Sequence, residues 1–165
     1  MTDVKEYTIA LDQFHEYLSG ILKIYRSAVP VLKEELDAIM QDEIEVLNQS
    51  LKSQQALLLQ TKNFDQQTAS YLSRLNIKAK NLTEMIQQLP KEAQLRFFEL
   101  LGEFELTMTE VNFYKDKCRE LLQSKMYTID KALSKLDLPK DNTTYNQNAS
   151  EVQGTLFPKS FEKKI

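Results

Sequence analysis

The chain has 165 residues, with only three Gly, four Pro, one Cys and one His and no Trp. Because sheets and tight loops need Gly, Pro, Asn and Asp in their turns, this shortage of Gly and Pro argues against β and α/β folds and favours a few long helices. The formal net charge of −3 gives no electrostatic reason to expect binding to nucleic acid.

The first predicted helix covers about residues 5–40. Its apolar residues recur in alternating steps of four and three, as from Tyr7 to Leu11 and onwards to Leu32, which is the spacing of a coiled coil. Pro30 lies off this line and the spacing continues across it, so we predict a single helix that is kinked near Pro30. The alternative is that Pro30 occupies the first position of a new helix.

The second predicted helix covers residues 43–74. Asp42 precedes it and Glu45 follows three residues later, which resembles a capping box with Asp in the place of Ser or Thr. Polar residues such as Gln54 and Thr61 stand where the apolar face should be. We therefore expect this helix to be the least tightly packed of the long helices.

A short helix over residues 82–88 precedes the third long helix, predicted over 91–136. Asn81 can cap the short helix, and Pro90 suits the first turn of the long one. Residues 1–136 should therefore form an all-α fold, an elongated antiparallel three-helix bundle or coiled coil with a short extra helix before the third.

The third long helix carries two apolar stripes. The first runs from Phe97 to Leu136 in alternating steps of four and three. Because a helix with two apolar stripes must cover both, one should face the other helices and the second should bind a partner or a second copy. The second stripe consists of Phe98, Leu106, Phe113, Leu121 and Met126.

Two lysines, Lys115 and Lys125, interrupt the first stripe. One interpretation is that their aliphatic stems pack against the bundle while the ammonium groups reach water. The other is that they set the register of the bundle or prevent its full closure.

Residues 137–165 differ in composition from the helical part. They are rich in Asn, Ser and Thr and contain Pro139, Gly154 and a few separated aromatic residues such as Tyr145. We predict a flexible tail. One interpretation is that its isolated aromatic residues serve as recognition points, and the other is that the tail has no binding role.

Candidates for catalysis, metal binding or cofactor binding are few. His15 is the only histidine, which excludes a His-rich metal site, and Cys118 stands on an apolar stripe, which predicts burial. Gly20, Gly102 and Gly154 are isolated, so no glycine-rich phosphate loop exists. We therefore predict no catalytic residue, no metal and no cofactor, and a protein that is not an enzyme.

The N-terminus lacks the apolar segment of a signal peptide, and the longest apolar run has four residues, Ala56–Leu59. One cysteine cannot form an internal disulfide, as is common in a reducing compartment. We expect a cytoplasmic location and no membrane insertion.

The end of the helical part resembles a known family. Leu121-Leu122, then Ala132-Leu133-x-x-Leu136, and then Thr144-Tyr145 after a short linker are similar to the C-terminal part of the FlgN-type flagellar export chaperones.

The resemblance implies a cytosolic chaperone that binds the helical terminal segment of flagellar hook–filament junction (hook-associated) proteins, prevents their premature assembly and delivers them to the flagellar type III export gate. It implies docking to that gate through Tyr145, in a monomer or weak homodimer. An alternative is a non-catalytic structural or adaptor coiled coil that acts as a stable homodimer. The client-binding residues implied by the resemblance are Leu121, Leu122, Met126, Ile129, Leu133 and Leu136.

Overall fold

The computed structural model describes residues 2–136, and they confirm the predicted all-α helical bundle. The tail predicted over 137–165, with Tyr145, lies outside the described residues. The five helices are α1 (Thr2–Gln41), α2 (Ile44–Gln60), α3 (Phe64–Arg74), α4 (Leu82–Gln87) and α5 (Lys91–Lys135).

Helix α1 is the central element, because α2, α3 and α5 all pack against it. Helices α1 and α5 run parallel, since Asp12 pairs with Arg96 near the start of both helices and Lys33 pairs with Glu110 further along. Helices α2 and α3 run in the opposite direction along α1. This direction follows from the contacts of Glu35 with Gln54 and of Gln13 with Arg74.

Helix α1 continues through Pro30, so the alternative in which a new helix begins there is wrong. The proline is exposed, whereas Val29 and Leu32 on either side are buried. The core-facing register is therefore the same before and after Pro30.

The single helix predicted over 43–74 is divided in two by a tight turn. The Thr61 N–H donates to the carbonyl of Leu58 at 3.1 Å, and the Phe64 N–H donates to the carbonyl of Thr61 at 3.1 Å. The turn places Phe64 in the core with 3% of its surface exposed, while Leu59 before the turn is 70% exposed. In one continuous helix the apolar side would rotate gradually away from α1. The break turns it back toward the core.

The predicted capping of α2 by Asp42 is wrong. The N-cap of α2 is Glu43, which makes no side-chain cap bond, and Asp42 has a φ of 57°. The Glu43 N–H donates to the carbonyl of Ala38 at 2.9 Å, and the Asp42 N–H donates to that of Ile39 at 3.4 Å. This is a Schellman motif, in which Asp42 takes the left-handed position that ends α1.

The predicted N-cap of α4 is present. The Asn81 side chain accepts a hydrogen bond from the Glu84 N–H at 2.8 Å. The Glu84 carboxylate in turn accepts from the Lys80 N–H at 2.9 Å. The first bond satisfies an amide group that the first turn of a helix leaves without a partner, and the second binds the residue before the cap to the helix.

The hydrophobic core lies mainly between α1 and α5. Helices α3 and α4 pack against the N-terminal halves of α1 and α5. Phe14 of α1 is fully buried at its centre. Its ring stacks on Tyr71 of α3 at 5.1 Å and meets Phe97 of α5 at 6.1 Å between centroids. These three rings connect α1, α3 and α5.

Candidate protein-binding surface

Lys125 marks the place where α1 ends against α5. Its ammonium group donates to the carbonyl oxygen of Ile39 and to the Asp42 carboxylate, the latter at 2.6 Å. Free carbonyl groups and the helix dipole make the C-terminus of a helix favourable for a cation. The contact therefore supports the register-setting interpretation of Lys125, because it holds the end of α1 at one position on α5.

Helix α5 continues to Lys135, beyond the point where α1 ends. The buried residues of α5 end at Cys118, which has no exposed surface. Further along, Ile129 is 56% exposed and Leu136 is 67% exposed. The last turns of α5 therefore extend past the helix that covers the rest of its apolar face.

The apolar residues of this extension, together with Leu122 beside the last turns of α1, continue the core-facing side of α5. At 3.6 residues per turn, steps of four and three keep side chains on one face of a helix, and these steps lead on from Val111 and Cys118. Leu122, Met126 and Leu133 are half-buried. We call the following residues the terminal face: Leu122, Met126, Ile129, Leu133 and Leu136.

Five of the six residues expected to bind a client form the terminal face, and Leu121 does not belong to it. Leu121 precedes Leu122 by one residue, so it points about 100° away around the helix. It is half-buried. A role for Leu121 in the same surface would need a partner that wraps around the side of α5.

Two apolar residues beside the α1–α2 turn, one at the end of α1 and one at the start of α2, adjoin this end of the bundle and were not predicted from the sequence. Met40 is 55% exposed and Ile44 is 68% exposed. They flank Asp42, which binds Lys125, so both lie at the same end of the bundle as Ile129. In the sequence, only the presence of apolar residues beside the end of a helix could have indicated that they belong to a binding surface.

The second predicted stripe of α5 is exposed in part. Phe98 is 42% exposed, Leu106 is 74% exposed and Phe113 is 53% exposed. Leu121 and Met126 are half-buried. Leu121 lies about 80° around the helix from Phe113, and Met126 follows Leu121 by five positions, or about 140°, so Met126 leaves this face altogether. The predicted stripe is therefore correct only in its first part.

Polar side chains interrupt the core where α1, α2 and α5 meet. Glu35 is 2% exposed and accepts a hydrogen bond from the Gln54 amide at 2.6 Å. Burial raises the pKa of Glu35, although hydrogen bonds from Gln54 and Cys118 and the charge of Lys115 oppose this change. Burial and the adjacent Glu35 raise the pKa of Cys118 to about 12. Cys118 is thus a buried, protonated core residue, as its position in the sequence predicted.

Glu35→Gln should raise the free energy of unfolding at neutral pH. A carboxyl whose folded pKa is raised favours the folded state when protonated, and this contribution is lost as pH rises through the folded pKa. The advantage of the variant should therefore shrink as pH falls and vanish below the ordinary Glu pKa of about 4.3. Urea unfolding across this pH range is the measurement. The exposed neighbour variant, Glu34→Gln, is the control, and an equal pH dependence in both would contradict the assignment.

His15 is half-buried and contacts Phe97 edge to face, with 5.1 Å between ring centroids. The adjacent Asp12 pairs with Arg96 at 2.7 Å. Within residues 2–136, no group of three or more His, Cys, Asp or Glu side chains is placed to hold a metal ion. Among the helices of the same range, none combines the length and the apolar character that crossing a membrane requires.

Comparison with known protein families identifies the chain. A family model described as FlgN protein matches residues 1–153, so the chain belongs to the FlgN family, a family of flagellar chaperones. Searches among curated proteins and among solved structures found no match.

Proposed function

We propose that this FlgN-family chain is a cytosolic export chaperone for flagellar hook–filament junction proteins. It binds the helical terminal segment of its client, prevents premature assembly and delivers the client to the flagellar type III export gate. The observation that carries the proposal is the terminal face, the apolar side of α5 that continues past the end of α1.

The terminal face suits an amphipathic helix as its ligand. Where α1 is present, it packs along the same side of α5. A client helix can occupy the equivalent position beyond Asp42 and bury apolar residues at helical spacing in the way of helix-in-groove complexes. Full burial of a Leu or Ile side chain contributes about 1.5–3 kcal/mol, so a few such residues supply useful affinity. Met40 and Ile44 extend the apolar surface from the α1–α2 turn.

Calorimetry with the full chain and the C-terminal helical segment of a hook–filament junction protein tests this function. We expect a one-to-one complex at tens of micromolar or below, with a negative heat-capacity change from burial of apolar surface. Absence of a complex in this concentration range would contradict the chaperone function.

Tyr145→Ala should leave client binding unchanged and weaken docking to the export gate. The expectation rests on the family resemblance, because Tyr145 lies outside the described residues. Binding of the chaperone–client complex to the purified cytoplasmic part of the gate is the measurement. Tyr127→Ala, which removes a 62% exposed tyrosine of α5, is the matched control. If both variants and the parent chain bind the gate equally, Tyr145 does not take part in docking.

The alternative function, a structural or adaptor coiled coil that acts as a stable homodimer, is favoured by the exposed apolar side chains of Phe98, Leu106 and Phe113. A dimer through this face would cover them. Light scattering at micromolar concentration separates the two functions, since the chaperone should be a monomer or a weak dimer.

A further inference from the structure

The first half of α5 carries an exposed apolar surface on the side opposite the core. Leu106 lies two positions from the buried Phe104, and Phe113 lies two positions from the buried Val111. Two positions correspond to about 200° around a helix, so these side chains point away from the bundle. Leu106 is 74% exposed and Phe113 is 53% exposed, and Leu95 and Phe98 on the same side are 68% and 42% exposed. We call the following residues the outer stripe: Leu95, Phe98, Leu106 and Phe113.

Gly102 lies in the middle of the outer stripe, one helical turn from both Phe98 and Leu106. A Cβ atom built on Gly102 has no atom within 4 Å, apart from its own helix backbone and chain neighbours. Glycine in a helix interior costs about 1 kcal/mol relative to Ala. Packing within residues 2–136 therefore does not require this glycine, and its effect is a notch between two exposed apolar side chains.

Carboxylates flank the outer stripe on both edges. Helical geometry places Glu92 and Glu99 along one edge and Glu105 along the other, all exposed. At the Phe113 end the charges are mixed, because Asp116 pairs with Arg119 at 3.7 Å and the Lys117 ammonium lies 5.8 Å from the centre of the Phe113 ring, so the acidic rows flank the part of the stripe from Leu95 to Leu106. Two copies of α5 packed through this stripe would bring acidic rows together, which is unfavourable. The charge pattern therefore favours an apolar segment that carries basic residues.

The first edge also contains two carboxylates that are paired within the bundle. Glu103 binds Arg26 at 3.1 Å, and Glu110 binds Lys33 at 3.8 Å. These pairs bind the edge to α1 and leave Glu92 and Glu99 to contact an incoming basic segment.

We propose that residues 156–165 of the same chain dock on the outer stripe. This segment reads Leu-Phe-Pro-Lys-Ser-Phe-Glu-Lys-Lys-Ile, with three lysines and one glutamate. Phe157, Phe161 and Ile165 recur in steps of four, so a helical turn or two places them on one face. Pro158 suits the first turn of such a helix. The segment therefore has both the apolar spacing and the basic charge that the outer stripe requires.

Residues 137–155, which connect the end of α5 to this segment, are long enough to let it reach the outer stripe. Leu106 precedes Leu136 by 30 positions, which corresponds to about 45 Å along a helix. Residues 137–155 span up to roughly 60 Å when extended. The segment thus reaches the outer stripe by running back along α5.

In one antiparallel alignment of the segment with α5, a large side chain lies over Gly102. Phe161 over Gly102 brings Phe157 level with Leu106 and Ile165 level with Phe98. In the same alignment Lys164 lies level with Glu99. The alignment that places Phe161 over Gly102 therefore also brings opposite charges together. The proposal does not depend on the identity of the client.

The absence of Trp from the chain permits a direct test. In the full chain carrying Phe161→Trp, the single indole should show blue-shifted emission that is the same at low and high micromolar concentration. Adding Leu106→Asp should remove the blue shift. Leu59→Asp is the matched control, since Leu59 is 70% exposed on α2 and Leu106 is 74% exposed on α5, and it should leave the emission unchanged.

A second variant tests the charge component. Lys163→Glu together with Lys164→Glu, in the Phe161→Trp chain, should also remove the blue shift, and added salt should reduce it in the parent. Emission of a solvent-exposed indole in the Phe161→Trp chain would overturn the proposal. A blue shift that appears only at high concentration would overturn it in favour of a second copy, and one that survives Leu106→Asp would place the segment elsewhere.

Discussion

Ile129→Asp should raise the dissociation constant for the client segment about 30- to 1,000-fold while leaving the bundle folded. The variant removes an apolar contact from the terminal face and places a carboxylate in the interface, which together cost about 2–4 kcal/mol. Because Ile129 is 56% exposed in the free chain, its replacement removes little packing. Calorimetry with the client segment gives the change in affinity, and urea unfolding reports on the fold.

Leu59→Asp is the control for this experiment. Leu59 is an exposed aliphatic residue on α2, outside the terminal face, and its replacement should leave the dissociation constant unchanged. Equal binding by Ile129→Asp and the parent chain would exclude Ile129 from the client surface. Equal losses in both variants would indicate a nonspecific effect of charge.

Phe14→Ala should lower the free energy of unfolding by about 3–5 kcal/mol, the usual cost of removing a buried aromatic side chain. Phe14 has no exposed surface, and its ring contacts Tyr71 and Phe97. Its truncation leaves a cavity where α1, α3 and α5 meet. Since stabilities of whole domains are commonly about 5–15 kcal/mol, this is a large fraction of the total.

Phe113→Ala provides the matched control for Phe14→Ala. Phe113 is 53% exposed on the outer side of α5, so the same substitution should cost less than about 1 kcal/mol. Urea unfolding followed by far-ultraviolet circular dichroism measures both variants. Similar losses at the two positions would contradict the placement of Phe14 at the centre of the core.

Helices α1 and α5 were predictable because their apolar residues follow a regular helical spacing over many turns. The break between α2 and α3 was not, since polar residues such as Gln54 and Thr61 obscure the point at which the apolar face changes direction. Asp42 was assigned to the wrong helix end. Its residue type fits a cap at the start of α2 as well as a left-handed residue at the end of α1, and the backbone bonds of Glu43 decide for the second.

The terminal face was predictable in part for a similar reason. The line of apolar residues on α5 is a local pattern, so Leu122, Ile129 and Leu133 could be chosen from the sequence. The point at which α1 stops covering that line is a non-local property, fixed by the contact of Lys125 with Asp42. Ile44 lies two residues from Asp42, so this contact brings it to the same end of the bundle.

Hydrogen exchange of the full chain, with and without the client segment, shows whether the client binds at the terminal face. We expect new protection in residues 121–136 and around Met40 and Ile44, with little change in the first half of α5. Protection confined to the outer stripe, from Leu95 to Phe113, or no new protection in 121–136 at saturating client, would contradict this expectation.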